Sequence, residues 1–170
     1  VFEDTKKMIQ NSELKEHVTI YRDSLFVQAT GNVYRVLSAD APRAEGLSPT
    51  LVLFDEVHAQ PSRSLWDVMS LAQGARGKQA TLIGITTAGV KVEARTGRDT
   101  IAYSLYQYGQ KLCRGELTDP TFHMSWWEAP AEADHKDEET WKIANPGYDD
   151  ICSADDFKSA VLRTPEAEFR

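Results

Sequence analysis

The sequence predicts an α/β fold built on a parallel sheet flanked by helices, and three observations carry that prediction. Leu51-Val52-Leu53-Phe54 is an unbroken apolar run, the pattern of a strand covered on both faces. Ser62 to Ala75 then places Leu65, Val68, Met69 and Ala72 on one helical face. Thr81-Leu82-Ile83-Gly84-Ile85 is a second apolar run. Strand, helix and strand in this order form a βαβ unit, whose crossover is expected to be right-handed.

The remaining elements follow in chain order. Phe2 to Gln10 reads as the tail of a helix that Asn11-Ser12 breaks. Val18 to Tyr21 and Leu25 to Val27 are short strand-like runs joined by a turn at Arg22-Asp23-Ser24. Val33 to Leu37 alternates like a strand with one wet face, and Ser38 to Pro49 is a loop. Pro61-Ser62 opens the crossover helix, and Gly74 and Gly77 close it. Thr100 to Leu112 is a further helix, with Ile101, Leu105, Tyr108 and Leu112 on one face. Thr121 to Trp127 is expected to be a strand, its Trp126-Trp127 pair lying in the core or else forming a stacking or subunit contact. Lys136 to Ala144 is a helix stopped by Asn145-Pro146-Gly147, and Ser153 caps a last helix over Ala154 to Leu162.

The 170 residues suffice for a buried core, and no stretch reaches the roughly 18–20 apolar residues of a membrane span. The opening Val1-Phe2-Glu3-Asp4 lacks an initiator Met and a signal pattern, so the chain reads as a piece of a longer protein. Cys113 and Cys152 stand far apart, unlike a structural zinc site, and are expected to be half-buried thiols of a reducing compartment. A net charge of −7 argues against a free-standing nucleic-acid-binding module. Charge is uneven, however. Residues 76–98 hold Arg76, Lys78, Lys91, Arg95 and Arg98 against Glu93, a stretch able to face phosphates or simply solvent. The acidic run over 128–139 is a solvated loop and helix start.

The first apolar strand ends in Asp55-Glu56. Nucleotide hydrolysis needs one carboxylate for Mg²⁺, which keeps much of its water shell, and another group to orient and deprotonate the attacking water. The C-terminal edge of a parallel sheet is where ligands bind, so Asp55 would serve the metal and Glu56 the water. The plainer reading is a strand ending in two solvated acids. Thr86-Thr87 closes the next strand, about thirty residues on, where a hydroxyl can reach a γ-phosphate or the lytic water. Threonine is also common in strands, but the two features together point to an ATPase.

Leu51-Val52-Leu53-Phe54-Asp55-Glu56-Val57-His58, followed by Gly84-Ile85-Thr86-Thr87-Ala88-Gly89, resembles the Walker B and coupling motifs of bacteriophage terminase large subunits. Ala39-Asp40-Ala41 with Gly46 is similar to that family's approach loop, and the closing Ala167-Glu168-Phe169-Arg170 to the approach to its nuclease domain. Trp141-Lys142-Ile143-Ala144-Asn145-Pro146 resembles the segment after its ATPase core and is the more discriminating part.

The resemblance implies a P-loop NTPase-type sheet, with residues 1–128 a partial ATPase domain and 129–170 a helical segment leading to a nuclease domain. It implies Asp55 as the Mg²⁺ acid, Glu56 as the catalytic carboxylate, and Thr86 and Thr87 as coupling residues. Arg43, the single arginine of its loop, would be either a trans-acting finger or an ordinary surface residue. ATP and Mg²⁺ are the implied ligands. Double-stranded DNA, a portal protein, a small terminase subunit and further copies in a ring are the implied partners, in the cytoplasm of a bacterial host and away from membranes.

One departure bears on activity. No Gly-x-x-x-x-Gly-Lys-[Ser/Thr] loop occurs in these residues, so they are expected to bind ATP weakly or not at all by themselves, and not to cut DNA. Two other classes compete. Asp55-Glu56-Val57-His58 is also the spelling of a DExH-type helicase, and a non-catalytic assembly module would need none of this chemistry.

Overall fold

The computed structural model describes residues 2–37 and 46–165. They fall into two compact units, Val1–Thr118 and Asp119–Arg170. Arg43 and the segments 39–41 and 167–170 lie outside the described residues.

The first unit opens with α1 (Phe2–Gln10), then three antiparallel strands, β1 (Val18–Ile20), β2 (Ser24–Val27) and β3 (Asn32–Arg35), with β2 central. Ile9 of α1 and Leu25 of β2 are buried, and Phe2 meets Tyr34 edge to face with ring centres 5.3 Å apart. The expected half-wet β3 is instead exposed at every residue.

The βαβ unit forms as the apolar runs predict. β4 (Leu51–Phe54) and β5 (Thr81–Gly84) pair in parallel, Leu51 opposite Thr81 and Phe54 opposite Gly84. Between them run α2 (Ser64–Ala72) and a 3₁₀ stretch, Gln73–Gln79. Within that stretch Gly77 takes φ 56°, a backbone setting that a side chain would strain. α3 (Ile101–Cys113) follows, with the Thr100 hydroxyl accepting from the Tyr103 N–H at its start.

Phe54, Val57, Leu65, Met69 and Ile101 form the core, joined by half-buried Val52, Trp66, Leu82 and Leu105. Residues alternate faces along a strand, so Val52 and Phe54 look into this core while Leu51 and Leu53 look away. Leu51 is 54% exposed, Leu53 43% and Ile83 42%. The expectation that both strands are buried on two faces therefore fails. The described sheet has two strands and is covered on one side, so only alternate residues enter the core.

The second unit is organised by Trp141, which is buried in α4 (Glu138–Ala144). Its ring stacks on Phe157 of α5 (Ala154–Arg163) at 5.9 Å, and its Nε1 donates to the His135 carbonyl at 2.6 Å. Asn145 ends α4 by donating both its N–H and its side-chain amide to the Trp141 carbonyl, each at 2.9 Å. Ser153 occupies the N-cap position of α5 without the expected side-chain hydrogen bond. Residues 121–127 form no strand. Phe122, Met124 and Trp126 are half-buried and their neighbours exposed, so the alternation is present without a ladder partner. Trp127 is 59% exposed rather than in the core. Cys113 and Cys152 are free and exposed, not half-buried. Among the described residues no helix is long and apolar enough to cross a membrane.

Met69 is the most deeply buried side chain at 1% exposure, whereas Leu71 on the same helix is 81% exposed. Met69→Ala should cost about 2–5 kcal/mol of unfolding free energy and Leu71→Ala under about 0.5 kcal/mol, read by denaturant titration. Equal losses would mean that α2 packs by another face.

Candidate functional site

Asp55 and Glu56 leave β4 at its C-terminal end, beside Thr86 and Thr87 where the chain leaves β5. The backbone between them has an irregularity that positions both pairs. The Ile85 N–H donates to the Phe54 carbonyl at 2.8 Å, as the parallel register requires. Its carbonyl should then accept from residue 56. It accepts instead from the Val57 N–H at 3.1 Å.

One extra residue is thus fitted between two ladder bonds, in the manner of a bulge. Glu56 absorbs it by adopting φ 54° and ψ 55°, the left-handed region that a residue bearing Cβ enters at a cost of about 1–2 kcal/mol. Val57, 2% exposed in the core, holds the far side of the bulge in place. Asp55 and Glu56 are thereby turned outward, and both are exposed.

Close packing draws the two strand ends together. A Cβ on Gly84 would lie 3.1 Å from Val57 Cγ2 and 3.2 Å from the Trp66 ring, itself 5.0 Å from the Phe54 ring. A Cβ on Gly89 would lie 2.7 Å from His58 Cβ, so the segment after β5 passes too close to His58 for any side chain. The His58 N–H donates to Thr86 Oγ1 at 3.1 Å, and the Thr86 hydroxyl donates to the Thr87 carbonyl at 3.0 Å. His58 Nδ1 lies 3.1 Å from Thr86 Oγ1 and 3.3 Å from Glu56 Oε2.

Glu56, Thr86 and Thr87 therefore surround one imidazole, and Asp55 adjoins them along the chain. Of the residues expected from the sequence, Arg43 alone falls outside the described residues. His58, read from the sequence as the end of the Walker B-like run and of a helicase-like spelling, with no role of its own, joins the two strand ends. Its spacing from Thr86-Thr87 could not expose that role, because contact across a parallel pair depends on register.

As a site for a metal, the strand ends offer carboxylate and hydroxyl oxygens, the donors Mg²⁺ prefers. Asp55 makes no hydrogen bond or ion pair with the described residues, so its carboxylate is available to a water-shelled cation. Among the described residues no cluster of three or more His, Cys, Asp or Glu side chains forms a closed metal cage. The residues fit Mg²⁺.

The basic stretch also takes a definite form. Val92 bridges Asp99, Glu93 donates to the Arg98 carbonyl at 2.9 Å, and Gly97 turns at φ 67°. Arg95 and Arg98 are exposed on this small hairpin, which Ala88 to Lys91 separate from Thr86-Thr87. Arg76 instead reaches back to the Ser48 carbonyl at 2.8 Å.

No protein-family profile matches the chain. It is 29% identical over 161 residues to the "Terminase, large subunit" of Enterobacteria phage HK97, a match covering 92% of this chain and 30% of that protein. The fold is similar to the crystal structure of the HK97 bacteriophage large terminase, with a TM-score of 0.76 and 28% identity, over 99% of this chain and 34% of that one. The resemblance to large terminase subunits is borne out along nearly the whole chain. The chain spans about a third of the length of the relatives it matches.

The strain at Glu56 has a measurable signature. At an ordinary position glycine is less stable than alanine by about 0.5–1 kcal/mol. At position 56 the order should reverse, with Glu56→Gly more stable than Glu56→Ala by about 1 kcal/mol in denaturant unfolding. Alanine as stable as glycine would remove the case for stored strain.

Proposed function

We propose that this chain is the water-activating and coupling part of a P-loop-type ATPase within a phage large-terminase-like protein. In that reading ATP hydrolysis drives double-stranded DNA into a procapsid. The observation that carries the proposal is the joining of Asp55-Glu56 to Thr86-Thr87 across two parallel strand ends, in a chain similar to a phage large terminase subunit along nearly its whole length.

The chemistry follows from where the side chains stand. Asp55, exposed and without a described partner, binds and orients the hydrated Mg²⁺. When bound, Mg²⁺ supplies charge neutralisation on the β- and γ-phosphate oxygens. Glu56, turned outward by its left-handed backbone, orients the attacking water and accepts its proton. Thr86 and Thr87 sit within hydrogen-bonding reach of His58, two residues past that acid pair, so a change at the γ-phosphate reaches the segment that leads into the hairpin. Arg95 and Arg98 at that hairpin offer phosphate contacts to DNA, which would reconcile a net charge of −7 with a DNA motor.

Further parts of the reading rest on the relatives. The phosphate-cradling loop, a nuclease that cuts the DNA, and contacts with a portal protein and a small terminase subunit belong to the longer protein. So do a ring of copies and, with it, any trans-acting role for Arg43. The setting is the cytoplasm of the bacterial host. The similarity along 92% of the chain favours this reading over the helicase one.

In the full-length protein, Glu56→Gln should bind ATP with near-normal affinity and lose at least about a hundredfold in turnover. Retained turnover would remove Glu56 from the reaction. Thr87→Ala should lose DNA translocation more than ATP hydrolysis. Equal loss of both, in paired ATPase and packaging assays, would assign Thr87 a purely catalytic part.

A further inference from the structure

His58 is half-buried, and its Nδ1 faces three oxygen atoms at once. Thr86 Oγ1 stands at 3.1 Å, Glu56 Oε2 at 3.3 Å and Thr87 Oγ1 at 3.5 Å. A carboxylate only accepts, so Nδ1 carries a hydrogen in any hydrogen bond to Glu56. A hydroxyl has one proton to give, and that of Thr86 goes to the Thr87 carbonyl at 3.0 Å. In that tautomer, with its own proton on the Thr87 carbonyl, Thr86 Oγ1 accepts from the His58 ring, and it also takes the His58 main-chain N–H at 3.1 Å.

One N–H facing three acceptors can be well aligned with only one of them. The carboxylate of Glu56 is the stronger acceptor because it is ionised, and the threonine hydroxyls are the nearer neutral alternatives. The imidazole is held where it can serve either. Its backbone is tied to Thr86, and the close pass of Gly89, with a virtual Cβ 2.7 Å from His58 Cβ, walls it in from the other side.

We propose that His58 is a positioning residue that passes a single Nδ1–H donor between Glu56 and the Thr86-Thr87 hydroxyls. It thereby links the water-activating carboxylate to the coupling strand. This rests on the ATPase reading given above. With the donor on Glu56, the carboxylate is held toward the histidine. With the donor on Thr86, Glu56 is released to the attacking water and the hydroxyl pair is drawn to β4. The position of Glu56 and the hydrogen bonding of the coupling threonines are then alternatives of one equilibrium.

The test uses the full-length protein with Mg·ATP. His58→Ala should lower kcat about tenfold or more with KM changed less than about twofold, since a misplaced catalytic group costs turnover rather than binding. His58→Asn places an amide N–H near the Nδ1 position and should recover most of the loss. His58→Gln places it near Nε2 and should not. Thr86→Val removes the hydroxyl, and the double variant His58→Ala/Thr86→Val should be no slower than the slower single one, because the two act as a unit. Gly89→Ala, which displaces the imidazole without removing it, should lower kcat in the same sense.

Wild-type kcat in His58→Ala, equal recovery by Asn and Gln, or multiplicative losses in the double variant would each overturn the proposal. Glu56→Gln, run alongside, separates the two failures. Normal turnover there overturns the ATPase reading itself. Lost turnover there, with His58 variants behaving as wild type, overturns only the part given to His58.

Discussion

The Ile85 peptide unit is the constraint on which the site depends. Its N–H and carbonyl hold Phe54 and Val57, residues three apart on the neighbouring segment, where an unbroken parallel ladder would hold residues two apart. The chain between those bonds is one residue too long, and the excess appears as the left-handed turn at Glu56. Phe54 and Val57 both belong to the core, so neither end of the bulge can relax by slipping register. A slip of one residue would send Phe54 outward and Leu53 inward, exchanging a packed side chain for a strained one. Core packing thus maintains a local strain of about 1–2 kcal/mol that the exposed residues could not maintain themselves.

From that constraint the rest of the site follows in steps. His58 is the first residue past the bulge, and its N–H meets the Thr86 hydroxyl. Because Gly84 and Gly89 carry no Cβ, the β5 side approaches Val57, Trp66 and His58 at distances another residue would block. A parallel pair with neither the bulge nor the glycines would still bring two acids and two threonines to one edge. It would not place one imidazole within hydrogen-bonding reach of both.

Much of this was legible in the sequence, and the reasons differ by element. The unbroken run Leu51–Phe54 and its counterpart at Thr81 to Ile85 identify the parallel pair because few other patterns concentrate apolar residues so tightly. Their predicted burial fails at Leu51, Leu53 and Ile83 because burial depends on how many layers cover a sheet, which a local pattern does not encode. The alternation at Phe122, Met124 and Trp126 is correct as a statement about faces and wrong as a statement about pairing, since pairing needs a second segment. Asp55, Glu56, Thr86 and Thr87 were found from their places at strand ends. The strain at Glu56 and the contacts of His58 were not, because both arise from a register offset between segments about thirty residues apart. Glu is not a residue that announces a left-handed position, as Gly or Asn would.

The segment read from the sequence as the more discriminating and the segment proposed to carry the chemistry are different parts with different physics. In Trp141-Lys142-Ile143-Ala144-Asn145-Pro146, three residues have a packing or capping task. The Trp141 ring anchors Phe157, its carbonyl takes two hydrogen bonds from Asn145, and Pro146 cannot prolong the helix. The Asp55-Glu56 and Thr86-Thr87 pairs are short and exposed, and the residues flanking them are constrained by sheet geometry that many families share. Kinship is therefore read with more certainty from the helix end, and mechanism from the strand ends. At 29% identity the argument for function needs both. The helix end makes the similarity specific, and the bulge at Glu56 makes it chemical.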